Sequence, residues 1–226
     1  EALVMRRYAG EPVAYLTGTR EFWSMELDVS PATLIPRPET ELLIELALEC
    51  IPANSRWTIF DIGTGCGAIA LALAKERPRC RIIASDCCVD ALQIADKNAK
   101  KHGLSRVEFR AGRWLAPFMG ERAHIIVTNP PYVGQGDPHL GDPALNFEPV
   151  HALLAGRDGL DGIRHLIRHA HPYLHGNGWL LLEHSHEQAG AVTRLMRRGG
   201  YRHISTHRDY AGCERASRGR HLSSLQ

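Results

Sequence analysis

The chain has 226 residues, of which 44% are hydrophobic and 23% charged, and a formal net charge of +2. These values suit one large globular domain with room for a small appendage. They give no broad basic footprint for nucleic acid, and no run approaches the ~20 apolar residues of a membrane span.

The chain opens on Glu1, and residues 1–9 read as the tail of a helix, the remnant of an N-terminal helical domain. Residues 10–38 form a β-hairpin linker. Its short alternating runs are Val13-Ala14-Tyr15-Leu16 and Phe22-Trp23-Ser24-Met25-Glu26-Leu27, punctuated by Gly18 and Pro31. Residues 39–226 form the main domain. It starts with a helix over 39–50 that carries Leu42, Leu43, Leu46 and Ala47 on one face. Strand and helix then alternate: strand 58–61, helix 67–75, strand 81–85, helix 89–101, strand 107–109 and strand 123–128. Helix 160–170, strand 179–183, helix 186–198 and a strand opening at 201–204 follow. This alternation implies an α/β fold, a mostly parallel sheet with helices on both faces. Arg215, Arg218 and Arg220 read as a basic, solvated tail. No signal peptide is visible. The six cysteines (Cys50, Cys66, Cys80, Cys87, Cys88, Cys213) lack a Cys-x-x-Cys pair, which fits a reducing cytoplasm.

Three features on this frame bear on chemistry. Asp61-Ile62-Gly63-Thr64-Gly65-Cys66-Gly67 joins the first strand of the alternating part to its helix. The glycines let backbone approach a ligand, and a carboxylate before them suits a cationic cofactor better than a pyrophosphate. The bland reading is a plain strand–helix turn. Asp86 ends the next strand about 20 residues on, where an acid can accept hydrogen bonds from ribose hydroxyls. Trp114, after the third strand, lines an adenine pocket or serves as a core or lid aromatic. Asn129-Pro130-Pro131-Tyr132 ends the fourth strand. Its prolines stiffen the backbone. The Asn129 carboxamide can accept the protons of a planar amino group on whose face Tyr132 would stack. The alternative is a proline-stopped strand with a turn asparagine. The irregular stretch 133–157 after it is long enough to be functional. His165 and His169, four apart on a helix, lack a third ligand in register, so no metal site is expected. His184 and His186 read as polar loop residues at the sheet rim. Arg37, between two prolines, either organises a substrate mouth or pairs with Glu39 or Glu41.

Glycine loop, ribose acid, aromatic and Asn-Pro-Pro-Tyr stand in the order found in class I S-adenosylmethionine-dependent methyltransferases, which the chain resembles. More closely it resembles the release factor glutamine methyltransferases. That likeness includes Ile35-Pro36-Arg37-Pro38-Glu39-Thr40-Glu41, Phe147-Glu148-Pro149, Asp158-Gly159-Leu160 and Leu180-Leu181-Leu182-Glu183. The resemblance implies a Rossmann-like class I methyltransferase fold with a seven-stranded sheet, preceded by a small β-hairpin segment. It implies methyl transfer from S-adenosyl-L-methionine to the side-chain amide nitrogen (N5) of the glutamine in the Gly-Gly-Gln motif of peptide chain release factors, leaving S-adenosyl-L-homocysteine. Gly63, Thr64, Gly65, Cys66, Gly67, Asp86, Trp114 and Asn129 would bind the cofactor. Asn129, Pro130, Pro131 and Tyr132 would hold the glutamine, with Asn129 and Pro130 catalytic. Two positions depart from the family pattern: Arg113 stands where relatives commonly have Asp, and Cys66 where Thr or Ser is frequent.

With release factors as the partners that the resemblance implies, cysteine usage, hydropathy and charge lead us to expect a cytoplasmic protein without membrane or direct nucleic-acid contact, and a monomer, since a 1:1 encounter needs no dimer. The competing enzyme is an amino-group methyltransferase acting on adenine or guanine in DNA or RNA. Such enzymes usually carry a target-recognition domain or basic face, which this sequence lacks after residue 150. A non-catalytic cofactor-binding module is the third reading, disfavoured by intact Asp61, Asp86 and Asn129.

Overall fold

A computed structural model of the protein describes residues 1–222. The last four residues of the expected 39–226 domain lie outside the described residues. Two helices, α1 (Ala2–Tyr8) and α2 (Val13–Thr17), precede a hairpin of β1 (Thr19–Phe22) and β2 (Met25–Asp28). The main domain follows as α3 (Glu41–Cys50), β3 (Thr58–Ile62), α4 (Ala68–Glu76), β4 (Arg81–Asp86), α5 (Val89–Lys101), β5 (Glu108–Ala111) and β6 (Ala123–Thr128). After two 3₁₀ turns come α6 (Val150–Leu153), α7 (Asp161–His169), β7 (Leu174–Glu183), α8 (Ala189–Arg198), β8 (Arg202–Arg208) and β9 (Glu214–Arg220). No helix among the described residues is long and apolar enough to cross a membrane.

The seven-stranded sheet has the order β5-β4-β3-β6-β7-β9-β8. Strands β3 to β7 pair in parallel, and β9 runs antiparallel between β7 and β8. Side chains alternate between two cores because successive residues of a strand face opposite sides. Ile59, Ile125, Val127 and Leu181 face one core with α3, α4 and the buried residues of the hairpin. Phe60, Ile62, Ile126, Leu180 and Leu182 face the other, with α7 and α8. The chain leaves β3 toward β4 on one side and enters β6 on the other. The crevice at the carboxyl ends of β3 and β6 is therefore the switch point where ligands bind in such sheets.

Three expectations need correction. Val13–Thr17 is a helical turn, not a strand. Its run is too short for periodicity to decide, and Pro12 before it and a left-handed Gly18 after it close a turn around buried Tyr15. The run 22–27 is broken by a turn at Trp23 and Ser24, both at positive φ. Trp23 is held there by Glu41, which accepts from its backbone N–H at 2.8 Å, and by Glu76, which accepts from its indole at 3.0 Å. The basic tail is strand β9. Its inward residues Ala216, Ser217 and Gly219 are buried, and Arg218 and Arg220 lie over the Trp179 ring. A Cβ on Gly219 would stand 3.0 Å from that of Tyr201. Small residues fit this narrow slot and leave no apolar alternation to read.

Candidate active site

The sheet register assembles the site. Ile62 pairs with both Ser85 and Thr128, and Asp86 pairs with Ala111. The glycine loop after β3, Asp86, residues 112–114 after β5 and Asn129 after β6 therefore emerge side by side. They surround a cavity of about 620 Å³ lined by Gly63 through Cys66, Asp86, Arg113, Trp114, Asn129 and Pro131. Leu34, Pro36 and Thr40 close it on the hairpin side, and His151, Gly162 and His165 on the far side.

Gly63 and Gly65 adopt positive φ (75° and 56°), and a Cβ on either would meet no atom within 4 Å. The loop thus turns bare backbone toward the cavity, a cradle in which a ligand can lie against the main chain. The backbone N–H groups of Gly63 and Thr64 donate to the Ser85 carbonyl, both at 2.9 Å. Asp86 clasps the same loop, accepting from Gly65 N (2.9 Å) and Cys88 N (2.9 Å). Its carboxylate oxygens keep lone pairs for further donors. Asp61 does not line the cavity. It is fully buried beneath the loop and accepts from the Thr64 hydroxyl (2.7 Å) and Ala70 N (3.1 Å) through one oxygen. The other oxygen, Oδ1, has no partner among the described residues. Burial pushes its carboxyl up to about 7, against the pull of those two donors. Cys66 is buried, and desolvation pushes its thiol up to about 12.

Trp114 lines the cavity at φ 54°, with its ring 5.7 Å from that of His165. Gly162 makes room for it, since a Cβ there would come within 2.7 Å of the indole. His165 and His169 do share a helix face, with rings 4.5 Å apart. Asp86, Cys87 and His151 bring ligand-type atoms within 4.8 Å of one another at the cavity wall, a grouping spread too far along the chain to show as a motif.

The Asn-Pro-Pro-Tyr residues divide. Asn129 and Pro131 line the cavity; Pro130 is buried and Tyr132 turns away. The Asn129 amide nitrogen donates to Thr40 Oγ1 at 3.2 Å, which leaves Oδ1 to accept from the cavity. The Tyr132 ring packs in the core of α7 and α8, and its hydroxyl donates to Glu183 Oε1 at 3.0 Å. Desolvation and the neighbouring Glu183 charge raise the phenol well above its ordinary range. The ring is half-buried in that packing and lies off the cavity wall. His184 is also interior, bonded to Ser217 Oγ at 2.9 Å and absent from the cavity wall. Arg37 pairs with Glu148 rather than with Glu39 or Glu41. Arg37 is extended (φ −101°, ψ 143°), and Pro38 opens the 3₁₀ turn that follows it.

A family model described as the methyltransferase small domain matches residues 40–141. A release factor glutamine methyltransferase of Salmonella typhimurium is 48% identical over 218 residues, 96% of this chain and 78% of the relative. The enzyme of that name from Aliivibrio fischeri is 46% identical over 219 residues, covering 96% and 77%. The chain belongs to the release factor glutamine methyltransferases. Among solved structures, a release factor-specific protein-(glutamine-N5) methyltransferase from Alicyclobacillus acidocaldarius superposes with a TM-score of 0.53 at 26% identity. The match covers 87% of this chain and all of that one. A member of this family is an enzyme with a class I methyltransferase fold, as the seven-stranded sheet displays.

Three residues of the site escaped the sequence reading as site residues: Thr40, Glu183 and Asn98. Asn98 is wholly buried. It accepts from Asp28 N (2.7 Å) and donates to the Cys66 carbonyl (2.9 Å) and the Asp28 carbonyl (3.0 Å). It thereby ties the hairpin to the glycine loop. The available signal was a polar residue on the apolar face of α5.

Proposed function

We propose that this chain transfers the methyl group of S-adenosyl-L-methionine to the side-chain amide nitrogen of the Gly-Gly-Gln glutamine of peptide chain release factors. The observation that carries this reading is the open Asn129 Oδ1, set beside the bare glycine backbone in one cavity. The residues fit such a donor. The loop 63–66 accommodates backbone contact while Gly67, off the cavity wall, caps α4; Asp86 retains acceptor capacity for hydroxyls, Trp114 offers a ring, and Asp61 has a buried oxygen, unpartnered among the described residues, that a cation nearby would favour. The bound cofactor supplies a methyl group already activated on a sulfonium.

The remaining task is positioning. An amide nitrogen is a poor nucleophile, so holding it in line with the methyl carbon is worth several kcal/mol. Asn129 Oδ1 and the Pro130 carbonyl would accept the two amide protons and favour the positive charge that grows on nitrogen. On transfer the new N–C bond would form as the donor's C–S bond breaks, with Asn129 and Pro130 holding the nitrogen in line. The proton leaves afterwards, when the nitrogen is strongly acidic, so no strong base is required. The stiff Pro130-Pro131 backbone keeps both acceptors still. A 1:1 encounter with a release factor in the cytoplasm is the expected setting.

The test is transfer of labelled methyl from S-adenosyl-L-methionine to a Gly-Gly-Gln release factor offered beside mixed nucleic acid. Label is expected in the protein, and in the glutamine on peptide mapping. Label confined to nucleic acid would overturn the reading.

A further inference from the structure

We infer that Glu183 is a positioning residue for methyl transfer: through the Thr40 hydroxyl it sets which way the Asn129 carboxamide faces. This rests on the reading of Asn129 given above and extends it to a residue outside the cavity wall.

Thr128 pairs with Leu182, so Asn129 and Glu183 come next on adjacent strands. Both follow residues of the same parity, Val127 and Leu181, which face the core of α3. Thr40, at the start of α3, is buried against this pair. Glu183 is 1% exposed, takes the Tyr132 hydroxyl on Oε1, and has no partner on Oε2 among the described residues. No hydrogen bond joins Thr40 to Glu183 among the described residues, but the Thr40 hydroxyl lies near enough to hold this carboxyl down, and we assign its proton to the unpartnered, buried Oε2.

A hydroxyl carries one proton and two lone pairs. If Thr40 gives its proton to Glu183, only lone pairs remain for Asn129. The carboxamide must then present its NH2 to Thr40, as it does, and its oxygen to the cavity. That orientation suits an acceptor that itself brings two N–H groups. With glutamine at position 183, an amide NH2 could donate to Thr40, freeing the hydroxyl proton for Asn129 Oδ1. The Asn129 amide would turn over and face the incoming amide with donors against donors.

The order depends on the charge of Glu183. Burial raises its carboxyl to about 7, while Thr40, Tyr132 and Arg215 hold it down and Glu39 pushes it up. Protonation below that range makes Glu183 a donor and undoes the arrangement. Turnover therefore falls as pH drops through the neutral range.

The experiment compares wild type with Glu183→Gln, Thr40→Ser, Thr40→Val and Tyr132→Phe, with Asn129→Ala as reference. It reads kcat, KM for the release factor, cofactor Kd and the pH profile. Glu183→Gln and Thr40→Val should each lose about tenfold or more in kcat with cofactor Kd nearly unchanged. Thr40→Ser, which keeps the hydroxyl, should retain most activity. The acid limb should vanish in Glu183→Gln and move to higher pH in Tyr132→Phe, which lacks one donor to the carboxylate. A folded Glu183→Gln enzyme with wild-type kcat, an unmoved limb in Tyr132→Phe, or equal loss in both Thr40 variants would overturn the inference. Full activity in Asn129→Ala would instead remove the reading on which it rests, so the two failures are distinguishable.

Discussion

At the scale of single residues, the site uses buried acids as framework and leaves the half-buried acid, Asp86, at the cavity. Asp61 shows the cost. Its carboxyl is raised to about 7, so its contribution to stability is whole below the ordinary carboxylate range and is lost as pH rises through about 7. Asn at this position can still accept from Thr64 and Ala70 and places its NH2 where Oδ1 has no partner. The Tm of wild type should therefore fall relative to that of Asp61→Asn between pH 5 and about pH 8. Parallel Tm curves across that window would show that Asp61 is already ionised in the fold, its carboxyl not raised. Asp61, Asp86 and Asn129 were legible from sequence because each stands beside a glycine loop, a strand end or a proline pair. The location of Asp61 beneath the loop was not, since a strand residue's face depends on which sheet layer covers it.

Elements were legible where their own side chains carry the period. The bounds of α5 and β6 agree with expectation because α5 is amphipathic and β6 is a continuous apolar run between polar ends. β9 was missed for the opposite reason: its packing demands Ala, Ser and Gly, which resemble a loop. Elements also communicate through Asn98, which joins α5, β2 and the Cys66 carbonyl by three hydrogen bonds. Asn98→Ala removes these partners and leaves buried backbone groups of Asp28 and Cys66 unpaired, at a cost of about 1–3 kcal/mol. Chemical denaturation should show that loss, and cofactor Kd should rise because the glycine loop loses its support. An unchanged Kd in the destabilised variant would mean that the loop holds its shape through Asp86 and Ser85 alone.

At the scale of the whole molecule, residues 34–37 act as a wall between segments far apart in sequence. Leu34 and Pro36 face the cavity, while Ile35 N donates to Glu148 Oε2 at 3.1 Å and Arg37 pairs with the same carboxylate. Glu148 is 4% exposed and closes the stretch 133–149 onto the hairpin side of the domain. Glu148→Ala strands the Ile35 N–H and the Arg37 guanidinium, costing about 1–3 kcal/mol. Limited proteolysis should then cut within 133–149 faster than in wild type, and KM for the release factor should rise more than cofactor Kd. Equal cleavage rates would show that the 3₁₀ turns of this stretch hold without the pair.

The sequence by itself determined the alternation of strands and helices, the glycine loop, the strand-end acids and the proline-stiffened Asn129. These are local patterns, each written within a few residues of itself. Only the tertiary structure decided that β9 enters between β7 and β8, that Tyr132 turns inward, that Arg37 pairs with Glu148, and that Glu183 stands beside Asn129. Each of these depends on strand neighbours and helix ends many residues away: Tyr132 meets Glu183 across 51 positions and Arg37 meets Glu148 across 111. Side-chain period says that a residue faces a sheet, and not which distant residue shares that face.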